Sequence, residues 1–348
     1  MKCARWIVAV VLCGVVSAAD HLPENTNQIK TLTVEQAKAL PPSRTNTPVA
    51  TVTLDGLTTL APEVAEALAR RPEIVSLSLN GLTTLSDEAA KALGQRAGDL
   101  HLDGLTTLSD EAAKALGQFK GGLSLDGLTT LSDTLAKALW PNKRTLSLDG
   151  LTTLSNEAAQ QIVQNRQITL SLNGLTTLPD ATAKTLALHQ GWLYLNGLTT
   201  LPDEQAKLLA NHNGWLCLDG LTTLPDETAK ALAFKQGGKV LTGDVQGGLM
   251  LRGVTTLSKD AAAALAQRRG ALSLGGLTTL SDEAAKAFAA HTGWLYLDGL
   301  TTLSDESAKV LAKHEGLLSL HGLTTLSDEA AGALRANLRI SLPAKFRR

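Results

Sequence analysis

Both tyrosines of this 348-residue chain and three of its five tryptophans recur in one setting, beside a leucine in a short alternating stretch. Trp192 and Tyr194 flank Leu193, Trp294 and Tyr296 flank Leu295, and Trp215 precedes Leu216. Alternate side chains of an extended segment leave on opposite faces, so burying the leucines turns the rings toward solvent. Solvent-facing aromatics bury large area at low entropic cost, which is the chemistry of binding. Met250 and Arg252 fall in the same outward columns, with the small residues Gly248, Ala271 and Gly275 between the aromatic groups. The pattern predicts a cleft with two aromatic walls about 15 Å apart over a floor of small side chains, wide enough for an extended peptide or a few sugar rings. The blocks HQGWLYLNG at His189 and HTGWLYLDG at His291 are near copies. A self-association surface is therefore the competing reading of the same rings.

Other reactive groups also repeat. The position after the second leucine of each stretch is mostly acidic or amide: Asn80, Asp103, Asp126, Asp149, Asn173, Asn196, Asp219 and Asp298. Hard-cation sites need several converging oxygens, and Asp or Asn just before Gly is first a turn residue that bonds nearby backbone. His189, His212, His291 and His314 precede a glycine at the end of a helical stretch, with Arg96, Arg166 and Arg268 in equivalent places. That placement predicts cationic capping of helix C-termini ahead of a metal site. Cys217 has no identifiable base and orienting group, which a cysteine nucleophile needs. GKVLTGD around Gly238 lacks the GK[ST] ending of a phosphate loop. No catalytic residue, metal site or cofactor is expected.

The elements that must position these groups follow from composition and period. The chain is 44% hydrophobic and 19% charged, with 32 basic against 33 acidic residues, so it has the apolar mass for a core and lacks the basic excess of most nucleic-acid binders. The start, MKCARWIVAVVLCGVVSAAD, reads as a secretory signal peptide over residues 1–19, with Lys2 and Arg5 before an apolar run from Ile7 to Val16 and small residues at the cleavage site. No later stretch reaches the roughly 20 apolar residues of a transmembrane helix. A secreted, periplasmic or cell-surface location is expected. Removal of Cys3 and Cys13 would leave Cys217 alone, either sheltered by packing or available for a crosslink.

Twelve copies of GLTTL or GVTTL, from Gly56 to Gly322, usually 23 residues apart, dominate the chain. In the unit LSLDGLTTLSDTLAKAL, Leu123 and Leu125 alternate as a strand would, Leu128 and Leu131 carry the chain round a corner, and SDTLAKAL, written SDEAAKAL in other units, reads as a helix with an acidic first turn. Ser132 or Asp133 is the predicted N-cap, with Pro179, Pro202 and Pro225 in the serine place of other units. A unit this short cannot bury its own edges, so neighbours must stack, strand beside parallel strand and helix beside helix.

The frame LxLxGLTTLxDxxAxxL resembles a leucine-rich repeat of a bacterial exported protein, closest to the cysteine-containing subtype LxLxxCxxITDxxLxxL, with Leu128 and its equivalents where that subtype has Cys or Asn. The resemblance implies an α/β solenoid with a parallel sheet on the concave side and short helices on the convex side, and a binding scaffold in place of an enzyme. The expected organisation is a signal peptide at 1–19, an N-terminal cap and loop at 20–50, a solenoid of about twelve units at 51–342 with a Gly-rich insertion near 234–247, and a basic tail at 343–348. The functional expectation is an exported, non-catalytic scaffold for protein, peptide or glycan, using Trp192, Tyr194, Trp215, Met250, Arg252, Trp294 and Tyr296. The alternative is a structural or adhesive envelope protein that self-associates. Nucleic acid is not an expected partner.

Overall fold

In the computed structural model, residues 25–40, 51–139, 144–164, 168–233 and 247–347 are described. The signal peptide, the loop at 41–50, Arg166 and most of the insertion therefore lie outside the described residues. Among those described, thirteen strands of two or three residues, from β1 (Thr51–Thr53) to β13 (Ile340–Ser341), form a single sheet in strictly sequential order. Every pairing is parallel, and leucine sits against leucine in most of them, as in Leu77 with Leu100 and Leu193 with Leu216. The solenoid expected from the repeat is the fold of the chain, with the sheet on the concave side and the helices on the convex side. Strands repeat about every 4.8 Å while packed helices need 8–10 Å, so a stack of strand–helix units bends toward its strands.

Within each coil the corner is closed by backbone: the Leu105 amide donates to Leu102 O at 3.1 Å, and both leucines are fully buried. The corner glycine is dictated by contact with the preceding coil. A Cβ on Gly104 would lie 2.1 Å from Asn80 O and 2.6 Å from Leu82 O, so only a residue without a side chain lets the two chains pass. The helices start as the SDEA pattern requires. Ser86 and Ser109 are N-caps that accept from the Ala89 and Ala112 amides, and Ser132 does the same for Leu135. Ser155 Oγ also donates 2.8 Å to Asp133 Oδ1 of the coil before, so the cap residue ties neighbouring helices together. At Pro179 and Pro202 the proline is itself the N-cap, extended in backbone and without a side-chain cap bond. In helix α3 (Asp87–Gly94), Ala89, Ala90 and Leu93 are buried against the sheet while Glu88 and Lys91 lie on the opposite, more open side.

Helix α1 (Val34–Ala39) is the N-terminal half-unit, closed by a Thr33–Gln36 capping box. Residues 343–347 of the basic tail lie back against the last coils. A 3-10 turn at Ala344–Phe346 brings Phe346 against the core, and Lys345 donates to Thr324 O at 2.6 Å. The longer interval before β9 (Gly248–Met250) leaves the sheet undisturbed, since Leu249 pairs with Leu216 on one side and Leu272 on the other.

Candidate functional site

Five adjacent strands carry the candidate site: β7 (Trp192–Tyr194), β8 (Trp215–Cys217), β9, β10 (Ala271–Ser273) and β11 (Leu295–Tyr296). Because Trp192 and Trp215 are register partners, the strand spacing becomes a ring spacing: their centroids are 4.8 Å apart and their planes differ by 8°. Tyr194 stacks on Trp192 at 5.9 Å. The benzo ring of Trp215 lies over Gly248, where a Cβ would come within 2.4 Å of Cζ3.

The central column across these strands reads Tyr194, Cys217, Met250, Ser273 and Tyr296, in register. Its middle members are covered rather than open: Cys217, Met250 and Ser273 are buried. Cys217 Sγ is 3.3 Å from Met250 Sδ, and Arg252 Nη2 lies 3.4 Å from the same sulfur. Burial pushes the Cys217 thiol up to about 12, with Asp219 adding to the shift and Arg252 opposing it. The free cysteine is thus sheltered by packing and held protonated, and the His212 ring is bonded to Gly191 O. Iodoacetamide at pH 8 should modify Cys217 in the native chain at least about a hundredfold more slowly than in the unfolded chain, as a covered high-pKa thiol requires.

A depression of about 530 Å³ opens on this face. Of the residues named from sequence, Trp192, Trp215, Met250, Arg252 and Tyr296 line it. Tyr194 reaches it only through its stacking on Trp192, and Trp294, 48% exposed, stands outside the lining. Ser273, Gly275 and Asp298 complete the lining. By sequence, Gly275 belongs to the floor and Asp298 to a turn, while Ser273, between Leu272 and Leu274, is one of the small residues of the central outward column. The available signal was the interruption of the Asp/Asn column at Arg252 and Gly275.

That column bonds the next coil and not its own turn. Asp126 Oδ1 accepts the Asp149 amide at 2.8 Å and the Ser147 hydroxyl at 2.6 Å, both from the next coil. Asp55, Asp149 and Asp298 repeat the pattern, and Asn80, Asn173 and Asn196 each accept the next column amide. Carboxylates and carboxamides on the concave face thus bridge consecutive coils. Among the described residues, no three His, Cys, Asp or Glu side chains converge as a metal site would need.

The histidines correct the expectation of cationic capping. His189, His212, His291 and His314 are buried, and burial is the main cause that holds each below the usual imidazole range, so each is neutral. Their Nε2 atoms bond carbonyls of the preceding coil: His189 to Ile168 O at 2.8 Å and His314 to Gly293 O at 3.2 Å. Arg96 and Arg268 make the same kind of link, to Ile74 O and Leu232 O. These side chains join coils, and the helix ends they reach are those of the preceding coil and not their own: Arg268 bonds Leu232 O, and the Nδ1 atoms of His291 and His314 face Ala266 O and Phe288 O.

A parallel strand, a leucine corner and a convex helix, repeated in register and bridged coil to coil, decide the architecture. It is a leucine-rich-repeat solenoid. No family model matches the sequence, and no curated protein matches it either. Among solved structures, the solenoid is similar to a leucine-rich-repeat protein of Leptospira interrogans at 22% identity, over 92% of this chain and 90% of that one, with a TM-score of 0.43. It is similar to an internalin of Listeria monocytogenes at 12% identity, over 94% of each chain, with a TM-score of 0.46. A third is a chain of the yeast Rad7–Elc1 complex, at 18% identity over 84% of this chain and 80% of that one, TM-score 0.46. These likenesses are of fold alone. No helix of the described residues is long and apolar enough to cross a membrane.

Proposed function

We propose that this chain is an exported, non-catalytic binding scaffold that holds a protein, peptide or glycan segment across the concave face from β7 to β11. The observation that carries the reading is the shared depression, where Trp192 and Trp215 on one side and Tyr296 on the other border a floor of Met250, Ser273 and Gly275. Concave, mostly apolar walls with a few polar groups are the usual make-up of a recognition site. The covered, protonated Cys217 thiol and the carbonyl-bonded histidines favour binding over a reaction. Export rests on the composition of residues 1–19, and the frame is closest to the cysteine-containing repeat subtype.

Probing peptide and glycan arrays with the chain, and repeating the measurement with Trp192, Trp215 and Trp294 all replaced by Ala, tests the reading. Ligand retention should fall at least about tenfold while the helical circular-dichroism signal is unchanged, as loss of aromatic anchors implies. Retention that survives the triple replacement removes the concave-face reading.

A second reading, self-association, is favoured by one specific pair. Trp294 and Leu317 occupy the same outward column just ahead of neighbouring strands, and each is 48% exposed. Under that reading the triple variant loses oligomers and no ligand.

A further inference from the structure

The chemistry that the depression selects follows from the interrupted Asp/Asn column. Wherever a column residue carries a side-chain oxygen, that oxygen accepts the column amide of the next coil: Asn80 from Asp103 at 2.9 Å, Asp126 from Asp149 at 2.8 Å, Asp219 from Arg252 at 2.8 Å. The next two column residues break the series. Arg252 carries only donors, and Gly275 has no side chain, so neither the Gly275 nor the Asp298 amide receives a side-chain acceptor from the column. The position that an acceptor oxygen fills in the other coils is open beside Gly275. A Cβ there would meet nothing closer than Arg252 Cγ at 3.8 Å.

One unpaired guanidinium faces this gap. Arg252 is exposed, lines the depression and makes no ion pair among the described residues. Two carboxylates stand nearby, and each directs an oxygen to a bond of its own. Asp219 accepts the Arg252 amide, while Asp298 accepts the Ser319 hydroxyl at 2.6 Å and the His321 amide at 3.0 Å, in the coil beyond.

We infer that the depression recognises the carboxylate of an Asp or Glu side chain in an extended peptide. One oxygen takes the place of the missing column side chain and accepts the Asp298 amide, and the carboxylate pairs with the Arg252 guanidinium. The inference rests on the concave-face reading above and names its ligand class. A peptide suits the site better than an acidic sugar. Trp192 is already stacked on both Trp215 and Tyr194, and Trp215 is pressed on Gly248, so ring faces that a pyranose would lie on are used within the protein.

The test is a titration of the nitrogen-15-labelled chain, followed by amide and indole resonances. The probes are acetyl-Ala-Ala-Glu-Ala-Ala-amide, its Gln counterpart and glucuronate. The Gly275 and Asp298 amides should move with the Glu peptide and respond at least about fivefold more weakly to the Gln peptide, since the bond is charge-assisted. Gly275→Asp supplies the missing oxygen from the chain itself and should abolish the response while the remaining spectrum stays folded. Arg252→Gln should weaken it about tenfold, as expected for loss of a guanidinium–carboxylate pair. Equal response to Glu and Gln peptides, persistence in Gly275→Asp, or response to glucuronate alone overturns the inference. If the Trp192 and Trp215 indoles respond to peptides while these two amides do not, carboxylate selection fails and concave binding stands. If indoles and amides are both silent to every probe, and the arrays show no retention, both readings fall.

Discussion

Gly276→Ala should cost about 3 kcal/mol of unfolding free energy, while Gly275→Ala, one residue earlier, should leave stability within about 1 kcal/mol or raise it slightly. The two glycines are adjacent in sequence and neither has a positive φ, so conformational freedom does not separate them. Contact does. A Cβ on Gly276 would lie 2.1 Å from Arg252 O and 2.7 Å from Val254 O, both backbone atoms of the preceding coil. No side-chain rotation relieves that overlap, so the coils must move apart, weakening the strand pairing between β9 and β10 and the leucine contacts beneath it. In a solenoid, stability is close to a sum of units and nearest-neighbour interfaces, so a damaged interface is not compensated from elsewhere. At Gly275 the space is open, and a methyl group mainly restricts the unfolded chain. Guanidinium unfolding of both variants, followed by circular dichroism, decides the matter. A Gly276→Ala midpoint equal to that of the wild type would show that the coils do not pass as closely as described.

The same pair shows what a sequence of this kind makes legible. Repetition exposes the unit, its strand, corner and helix, and the parallel stacking, because the same apolar positions must support each of them in every copy. The outward direction of Trp192, Trp215 and Tyr296 was legible from alternation with leucine. Which rings share a depression was not, since Trp294 follows the same alternation as Trp192 and yet stands outside it. Nor was the destination of polar side chains. Position before glycine suggests that Asp126 and its equivalents bond their own turn, and they bond the next coil, because partners 23 residues away in sequence are invisible until the stacking register is fixed. The place held by a turn-bonding Cys or Asn in the resembling subtype is filled here by a buried leucine, and the backbone bond from Leu128 to Leu125 holds the corner instead. Burial likewise reverses the charge expected of the histidines. Placement near a helix end suggests a cation, but the low dielectric between coils disfavours charge more than the helix end favours it.

That reversal makes acid the strongest lever on the fold. His212 is held down to about 3, chiefly by burial, with His189 and Arg268 adding to the effect and the Gly191 and Trp215 backbone opposing it. Its Nδ1 has no hydrogen-bond partner, and neither does that of His189, so a second proton would find no acceptor at that atom. His291 and His314 place both ring nitrogens 3.1 to 3.2 Å from carbonyl oxygens, which partly offsets the burial. The unfolded chain binds these protons near pH 6.5 and the folded chain does not, so stability is full above that pH and falls as pH drops toward the folded value. For His212 alone, going from about pH 7 to about 4.5 should remove roughly 3 kcal/mol, at about 1.4 kcal/mol per pH unit. Depressed carboxylates such as Asp282 act in the same direction, but only as pH falls through and below the carboxylate range, so the window from about 6.5 to about 4.5 belongs to the histidines. Urea unfolding at about pH 7, 5.5 and 4.5 should show the midpoint falling steeply. In His212→Gln, whose amide can still donate toward Gly191 O without titrating, the decline should be shallower by about that amount. Parallel declines in the two proteins would mean that His212 is protonated within the folded solenoid, and that the space between its coils is wetter than its packing indicates.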